Sequence, residues 1–474
     1  MLTDHIKSLI IQNLVYEPTN DQSVLIDGIS DFILTDDLKP ALLIKGYAGT
    51  GKTTVVSALV NAFRTLHIKS VLLAPTGRAA KVLSAYSTKK AYTVHKKIYR
   101  QKSSKDGFGK FDLDVNLHAN TYFIVDEASM IFDFSPEGSV FGSGRLLDDL
   151  IKYVYNNKGC RLVLIGDTAQ LPPVGIDISP ALEIKELISK GLQVKEYILK
   201  EVVRQKSDSG ILENATKIRN KIENEEYNFP KIGVQNFSDI HVVSGSELID
   251  CISSAYDKYG YEDTIIVTRS NKRANQYNKG IRNQILWKEE EIANGDFLMV
   301  VKNNYYWKKD EKEGDFIANG DIAEILRIKK YEERYGFRFA DVELRFIDYE
   351  NMEISCKIML DTLNINSAAL TADENKRLFY SILEDYQDEK SKKKQYDEVK
   401  NNEYFNALQV KFAYAITCHK AQGGQWKNVF IDQGYINEDM LSKEYLRWLY
   451  TAFTRPVENL YLVNFDKRFF ENQD

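Results

Sequence analysis

The sequence has no unbroken apolar run long enough to cross a bilayer. Its first residues, Met1-Leu2-Thr3-Asp4-His5, lack the basic and apolar regions of a signal peptide, so a soluble protein that stays in the cytoplasm is expected. Cysteine is scarce. The four present, Cys160, Cys251, Cys356 and Cys418, are too scattered for a zinc site or a disulfide framework, and reduced thiols are expected. Internal repeats and low-complexity linkers are absent. Positive charge is in deficit: the net charge is −5, so any attraction to nucleic acid must come from local basic patches. One such patch stands out on this acidic chain, where Lys89, Lys90, Lys96, Lys97, Arg100, Lys102 and Lys105 crowd together. With 474 residues the chain has length for about three domains.

What is present is most informative at Ala41-Leu42-Leu43-Ile44-Lys45-Gly46-Tyr47-Ala48-Gly49-Thr50-Gly51-Lys52-Thr53-Thr54, where an apolar run enters a G-x-x-x-x-G-K-[ST] phosphate loop. Gly46, Gly49 and Gly51 let the backbone bend so that N–H groups, including those of Ala48, Thr50 and Thr54, converge on phosphate oxygens. Lys52 reaches the β- and γ-phosphates, and the Thr53 hydroxyl is a ligand for Mg²⁺. The residues from Thr53 onward read as a helix whose N-terminal dipole also favours an anion. An NTP site with Mg²⁺ is expected.

Downstream, apolar strands alternate with helical patterns at Ser70–Ala74, Tyr122–Val125 and Arg161–Ile165, the rhythm of a parallel sheet covered by helices. Ligands of such sheets sit beyond the carboxyl ends of the strands. The second strand runs into Asp126-Glu127, placing Asp126 to hold Mg²⁺ and Glu127 to polarise an attacking water. The third runs into Gly166-Asp167-Thr168-Ala169-Gln170-Leu171-Pro172-Pro173-Val174.

That last segment resembles motif III of superfamily 1 helicases, and the other motifs of that family follow in order. Ala74-Pro75-Thr76-Gly77-Arg78-Ala79-Ala80 resembles motif Ia, Tyr92-Thr93-Val94-His95 the neighbouring DNA-contact motif, and Leu199-Lys200-Glu201-Val202-Val203-Arg204-Gln205 motif IV. Ala415 to Gly423 resembles motif V and Tyr450 to Arg455 motif VI. The set covers nearly the whole chain and is most similar to the RecD-like and phage Dda-like branch. The resemblance implies Gln170 as γ-phosphate sensor, Arg204 and Arg455 as arginine fingers acting on ATP, and Gln22 as the adenine-reading amide. It implies DNA contacts at Pro75, Thr76, Arg78, Thr93, His95, Thr417 and His419. Asn319-Gly320-Asp321 resembles an element of the barrel inserted in the second motor of that branch. Ala421 stands where many relatives have Ser, and Gln425 where many have Glu.

The implied fold is α/β: two RecA-like parallel-sheet motor domains, a hairpin inserted in the first, and a small SH3-like β-barrel plus helical extension inserted in the second. Residues 1–98 and 119–205 form the expected first motor and 99–118 the hairpin. Residues 206–290 and 406–474 form the second motor, and 291–405 the barrel with its charged extension. Asp106-Gly107-Phe108-Gly109 supplies the hairpin turn, and Phe108 or Phe111 is placed to stack on a base. The function implied is an ATP-dependent DNA helicase that moves 5′ to 3′ on single-stranded DNA and opens duplexes at single-strand/double-strand junctions. The alternative is a DNA-stimulated ATPase that displaces proteins without separating strands. A monomer in the cytoplasm of a bacterial or phage-infected cell is expected, with replication or single-strand-binding proteins as candidate partners and no membrane role.

Overall fold

Six short strands pair side by side in parallel, and the inner ones, covered on both faces, carry apolar residues at nearly every position. In this computed structural model, which describes residues 2–101, 111–134, 141–203, 209–307, 316–349 and 352–471, the sheet order is Ala91–Thr93, Lys69–Ala74, Thr121–Val125, Arg161–Gly166, Pro40–Gly46, Gln193–Leu199. The phosphate-loop strand is central: Ala41 to Lys45 pair with Leu162 to Gly166 on one side, and Pro40 to Gly46 with Gln193 to Leu199 on the other. Three strand ends therefore converge on the loop. The Asn20–Leu34, Lys52–Thr65 and Gly77–Ser87 helices bury Leu25, Ile29, Val56, Leu59, Phe63 and Leu83 in one core with the sheet.

The chain forms two compact units, one of Met1–Ile98, Leu113–Ser244 and Ala421–Asp474, the other of Tyr99–Asp112 and Gly245–Lys420. The first also holds a parallel trio in which Pro456–Val463 lies between Trp426–Asp432 and Ile240–Val243. In the second, Thr264–Thr268 pairs in parallel with Ala415–Thr417. There the expected barrel is present and closed, with strands Phe297–Val300, Ile322–Arg334, Phe337–Phe346, Met352–Met359 and Leu408–Phe412. Its charged extension is helical (Ala372–Leu383 and Lys392–Lys400) and docks through Leu378, Ile382 and Val399 against Phe337, Phe339 and Met359. No helix among the described residues is long and apolar enough to cross a membrane.

Tyr99–Gln101 and Phe111–Leu113 pair as a two-stranded sheet, so the stems of a hairpin stand where the sequence places one; its turn, with Phe108, lies outside the described residues. Phe111 does not face a base. It is 1% exposed and packs on Tyr305, with ring centroids 4.4 Å apart, and on Phe316 at 6.0 Å. A sequence pattern gives a ring's position but not its neighbour, and here burial of a large apolar face outweighs exposure to a partner. Phe111→Ala is accordingly expected to lower unfolding free energy in urea by about 3 kcal/mol or more, the usual range for deleting a buried Phe ring. A loss within error of zero contradicts this packing.

Candidate nucleotide-binding site

The loop's conformation needs glycine at two points. Gly49 and Gly51 have φ of +76° and +78°, and a Cβ on Gly51 would lie 2.4 Å from the Gln22 side chain. Lys52 folds its ammonium over the loop, donating to the carbonyls of Gly46 (2.7 Å) and Tyr47 (2.8 Å), with the Asp167 carboxylate 4.0 Å away. Thr50 Oγ1 donates to Tyr47 O, and Thr53 and Thr54 stand in the first turn of the Lys52–Thr65 helix. Gln22 is buried: its Nε2 donates to Thr50 O at 3.0 Å, and its Oε1 accepts from Thr19 N in a capping box. It thus braces the loop through one amide hydrogen and one lone pair of its side chain.

Beyond the Thr121–Val125 strand, Asp126 Oδ1 accepts from Glu127 N, and burial followed by the Glu127 carboxylate pushes Asp126 up to about 7. A cation would relieve both. Glu127 has φ +53°, a left-handed conformation rare outside glycine and one that clusters at functional sites. Asp167 is buried at the end of the next strand, accepting from Ala169 N and from the Tyr450 hydroxyl (2.7 Å). The same hydroxyl accepts from Ala48 N at 2.8 Å, so one tyrosine joins the phosphate loop to the Asp167 segment. Next to it, Thr451 Oγ1 accepts from Leu171 N, and Leu171 O accepts from Gln422 Nε2.

Gln170 is 6% exposed, and its Oε1 and the Ser129 hydroxyl are buried without a protein partner. Orphaned polar atoms at the strand ends, with an anion-seeking loop and a carboxylate raised by burial, fit a phosphorylated ligand with a hard cation. Among the described residues no cluster of three or more His, Cys, Asp or Glu could hold an ion by itself. Thr53 and Asp126 would supply the protein ligands, with phosphate oxygens and water the rest, as is usual for Mg²⁺.

Arg455 is 3% exposed and held within its own segment: Nε donates to Thr451 O, Nη1 to Gly424 O and Nη2 to Thr454 Oγ1. Arg204 lies outside the described residues. Of the expected DNA contacts, Pro75 is half-buried, Thr76 caps the Gly77–Ser87 helix by accepting from Ala79 N, and Arg78 stacks 4.1 Å over Trp426 while bonding Gln425 O. Thr93 is buried with its hydroxyl accepting from Lys96 N. Thr417 and His419 belong to the second unit, where the neighbouring Lys420 ammonium holds Asn319.

A family model described as an AAA domain matches residues 34–229, and one described as the UvrD-like helicase C-terminal domain matches residues 412–463. The RecBCD enzyme subunit RecD of Buchnera aphidicola is 25% identical over 487 residues, covering 90% of this chain and 70% of that protein. The ATP-dependent DNA helicase dda of enterobacteria phage T4 is 25% identical over 303 residues, covering 61% of this chain and 63% of that one. These matches support a superfamily 1 helicase of the RecD- and Dda-like kind. Among solved structures, Pif1 helicase from Bacteroides in complex with ADP-AlF3 and ssDNA aligns over 97% of this chain and 95% of its own, at 14% identity and a TM-score of 0.47.

Placed on this family's motifs, the geometry adds residues that the motif reading passed over. Asp167, Tyr450 and Thr451 lie inside recognised motifs but carry their signal only in three dimensions. Half-buried His95 lies edge-on to Phe141 at 4.8 Å, and burial pushes it down to about 4, so it is uncharged at pH 7. Because the folded pKa lies below the unfolded value, the folded state binds fewer protons between about pH 6.5 and pH 4, and this contribution to stability is lost as pH falls through that window. The fall in urea-unfolding stability across it should be shallower in His95→Gln than in the parent. Parallel curves would show that His95 titrates normally.

Proposed function

We propose that this protein hydrolyses ATP to travel along single-stranded DNA, 5′ to 3′, and separates the strands at a duplex junction. The observation that carries the ATPase half is the convergence of phosphate loop, Asp126, Glu127 and Gln170 at adjoining strand ends. Bound Mg²⁺ would neutralise phosphate charge, held by Thr53 and Asp126. Lys52 gives up its loop carbonyls to hold the outer phosphates, Glu127 orients water, and Gln170 senses the terminal phosphate. The DNA half rests on likeness to that family and on the relatives' own descriptions as ATP-dependent DNA helicases. Residues 1–98 with 119–205, and 206–290 with 406–474, serve as the two motors in this reading. Arg204 and Arg455 act as fingers once ATP draws them in, which requires Arg455 to leave its present partners. The protein works as a monomer in the cytoplasm, and the segment between Tyr99 and His118 is the separating wedge, with Phe108 as the remaining aromatic candidate at its tip.

Both Lys52→Ala and Glu127→Gln should abolish turnover, the first with weakened nucleotide binding and the second with ATP retained. Parent ATPase should be low alone and rise with single-stranded DNA of any sequence, less so at high salt, because backbone phosphates carry the affinity. Replacing Asp106 to Lys110 by a Gly-Ser turn should spare that stimulation and abolish opening of a 5′-tailed duplex. Opening only of 3′-tailed duplexes contradicts the polarity, and unimpaired opening by the replaced turn favours a wedge elsewhere.

A further inference from the structure

The Gly210–Glu223 helix carries no nucleotide motif, yet it lies against the phosphate loop. A Cβ on Gly49 would meet the Leu212 side chain at 2.4 Å, so that side chain packs directly on the loop. One turn apart near its C-terminal end, Arg219 and Glu223 enclose Tyr47, the residue that follows the first glycine of the loop. The Arg219 guanidinium sits 4.6 Å over the Tyr47 ring, and the Tyr47 hydroxyl bonds Glu223. Burial, then that carboxylate, raises Tyr47 to about 12, so it stays a neutral donor.

Arg219 is 9% exposed. Its Nε and Nη2 both donate to Asn220 Oδ1, while Nη1 is buried with no partner in the protein. Its charge is felt at Tyr450, the residue joined to Ala48 and Asp167. Stacking on Tyr47 accounts for the guanidinium's position but leaves Nη1 unsatisfied, and a buried arginine donor ordinarily has an acceptor. The carboxylate of Asp167 accepts from Ala169 N and the Tyr450 hydroxyl and makes no hydrogen bond to Nη1. An anion brought to this place is the missing acceptor. The inner phosphates of a nucleotide belong over the first turn of the Lys52–Thr65 helix. The Tyr47, Tyr450 and Asp167 cluster lies at the strand-end side, where the terminal phosphate belongs.

We propose that Arg219 is a further nucleotide-contacting residue, whose Nη1 donates to the terminal phosphate of a nucleoside triphosphate and so distinguishes it from the diphosphate. This rests on the nucleotide reading given above and adds a third arginine to the two that the motifs supply. It also gives the helix a means of registering which nucleotide is bound, through Tyr47 below the guanidinium and Leu212 against Gly49.

Equilibrium binding of fluorescent Mg·ATP and Mg·ADP derivatives to the full chain, to Arg219→Gln and to Arg219→Lys tests it. Losing a charge-assisted bond to phosphate should weaken ATP about tenfold or more in Arg219→Gln, with ADP held within about twofold. Arg219→Lys, which keeps the charge without the planar fork, should fall between, and it carries the test if Arg219→Gln does not fold. Equal weakening of both nucleotides, or of neither, overturns the proposal and leaves Arg219 as a prop for Tyr47. If the parent chain binds neither nucleotide, the nucleotide reading fails first and this inference falls with it.

Discussion

A phosphate loop turns several N–H groups toward one point, an arrangement that repels itself unless something negative occupies the point or something polar ties the loop down. In this protein the tie is the Tyr450 hydroxyl, which accepts from Ala48 N and donates to Asp167. Lys52 complements it by covering the Gly46 and Tyr47 carbonyls, and Gln22 by holding Thr50 O. The glycines at 49 and 51 make the bend; these side chains keep it.

From that tie the rest of the first unit follows. Tyr450 is fully buried in the Lys443–Phe453 helix, and its neighbour Thr451 holds the backbone of Leu171 in the Gln170 segment. Two consecutive residues of one helix therefore touch two of the segments that surround a nucleotide. Any ligand that takes the Ala48 amide or reorients Asp167 acts on that helix directly, and through Thr451 O on Arg455. A small change at the phosphates is thereby linked to a packed element, the arrangement on which two-state switching depends.

Much of this was legible in the residues alone. The Pro40–Gly46, Thr121–Val125 and Arg161–Gly166 strands announce themselves because buried parallel strands are continuously apolar, and the loop because its chemistry demands glycine and lysine at fixed spacing. Apolar and polar residues alternate along the barrel strands Met352–Met359 and Leu408–Phe412, but the closure of the five strands into a barrel is a long-range pairing that no local pattern carries. Side chains that serve the scaffold were harder to tell from those that serve a ligand. Gln22, Thr76 and Arg78 satisfy local partners, Phe111 fills a core, and Arg219 lies in a helix whose sequence gives no sign of the loop beside it.

Tyr450→Phe removes the tie while keeping the ring. Measured by urea unfolding without nucleotide, it should lower stability by about 1–3 kcal/mol, the cost of leaving the Ala48 amide and an Asp167 oxygen buried without their partner. With saturating Mg·ATP the gap to the parent should narrow, because a phosphate oxygen then accepts from the loop. A variant as stable as its parent without nucleotide, or a gap that ATP leaves unchanged, would contradict the account.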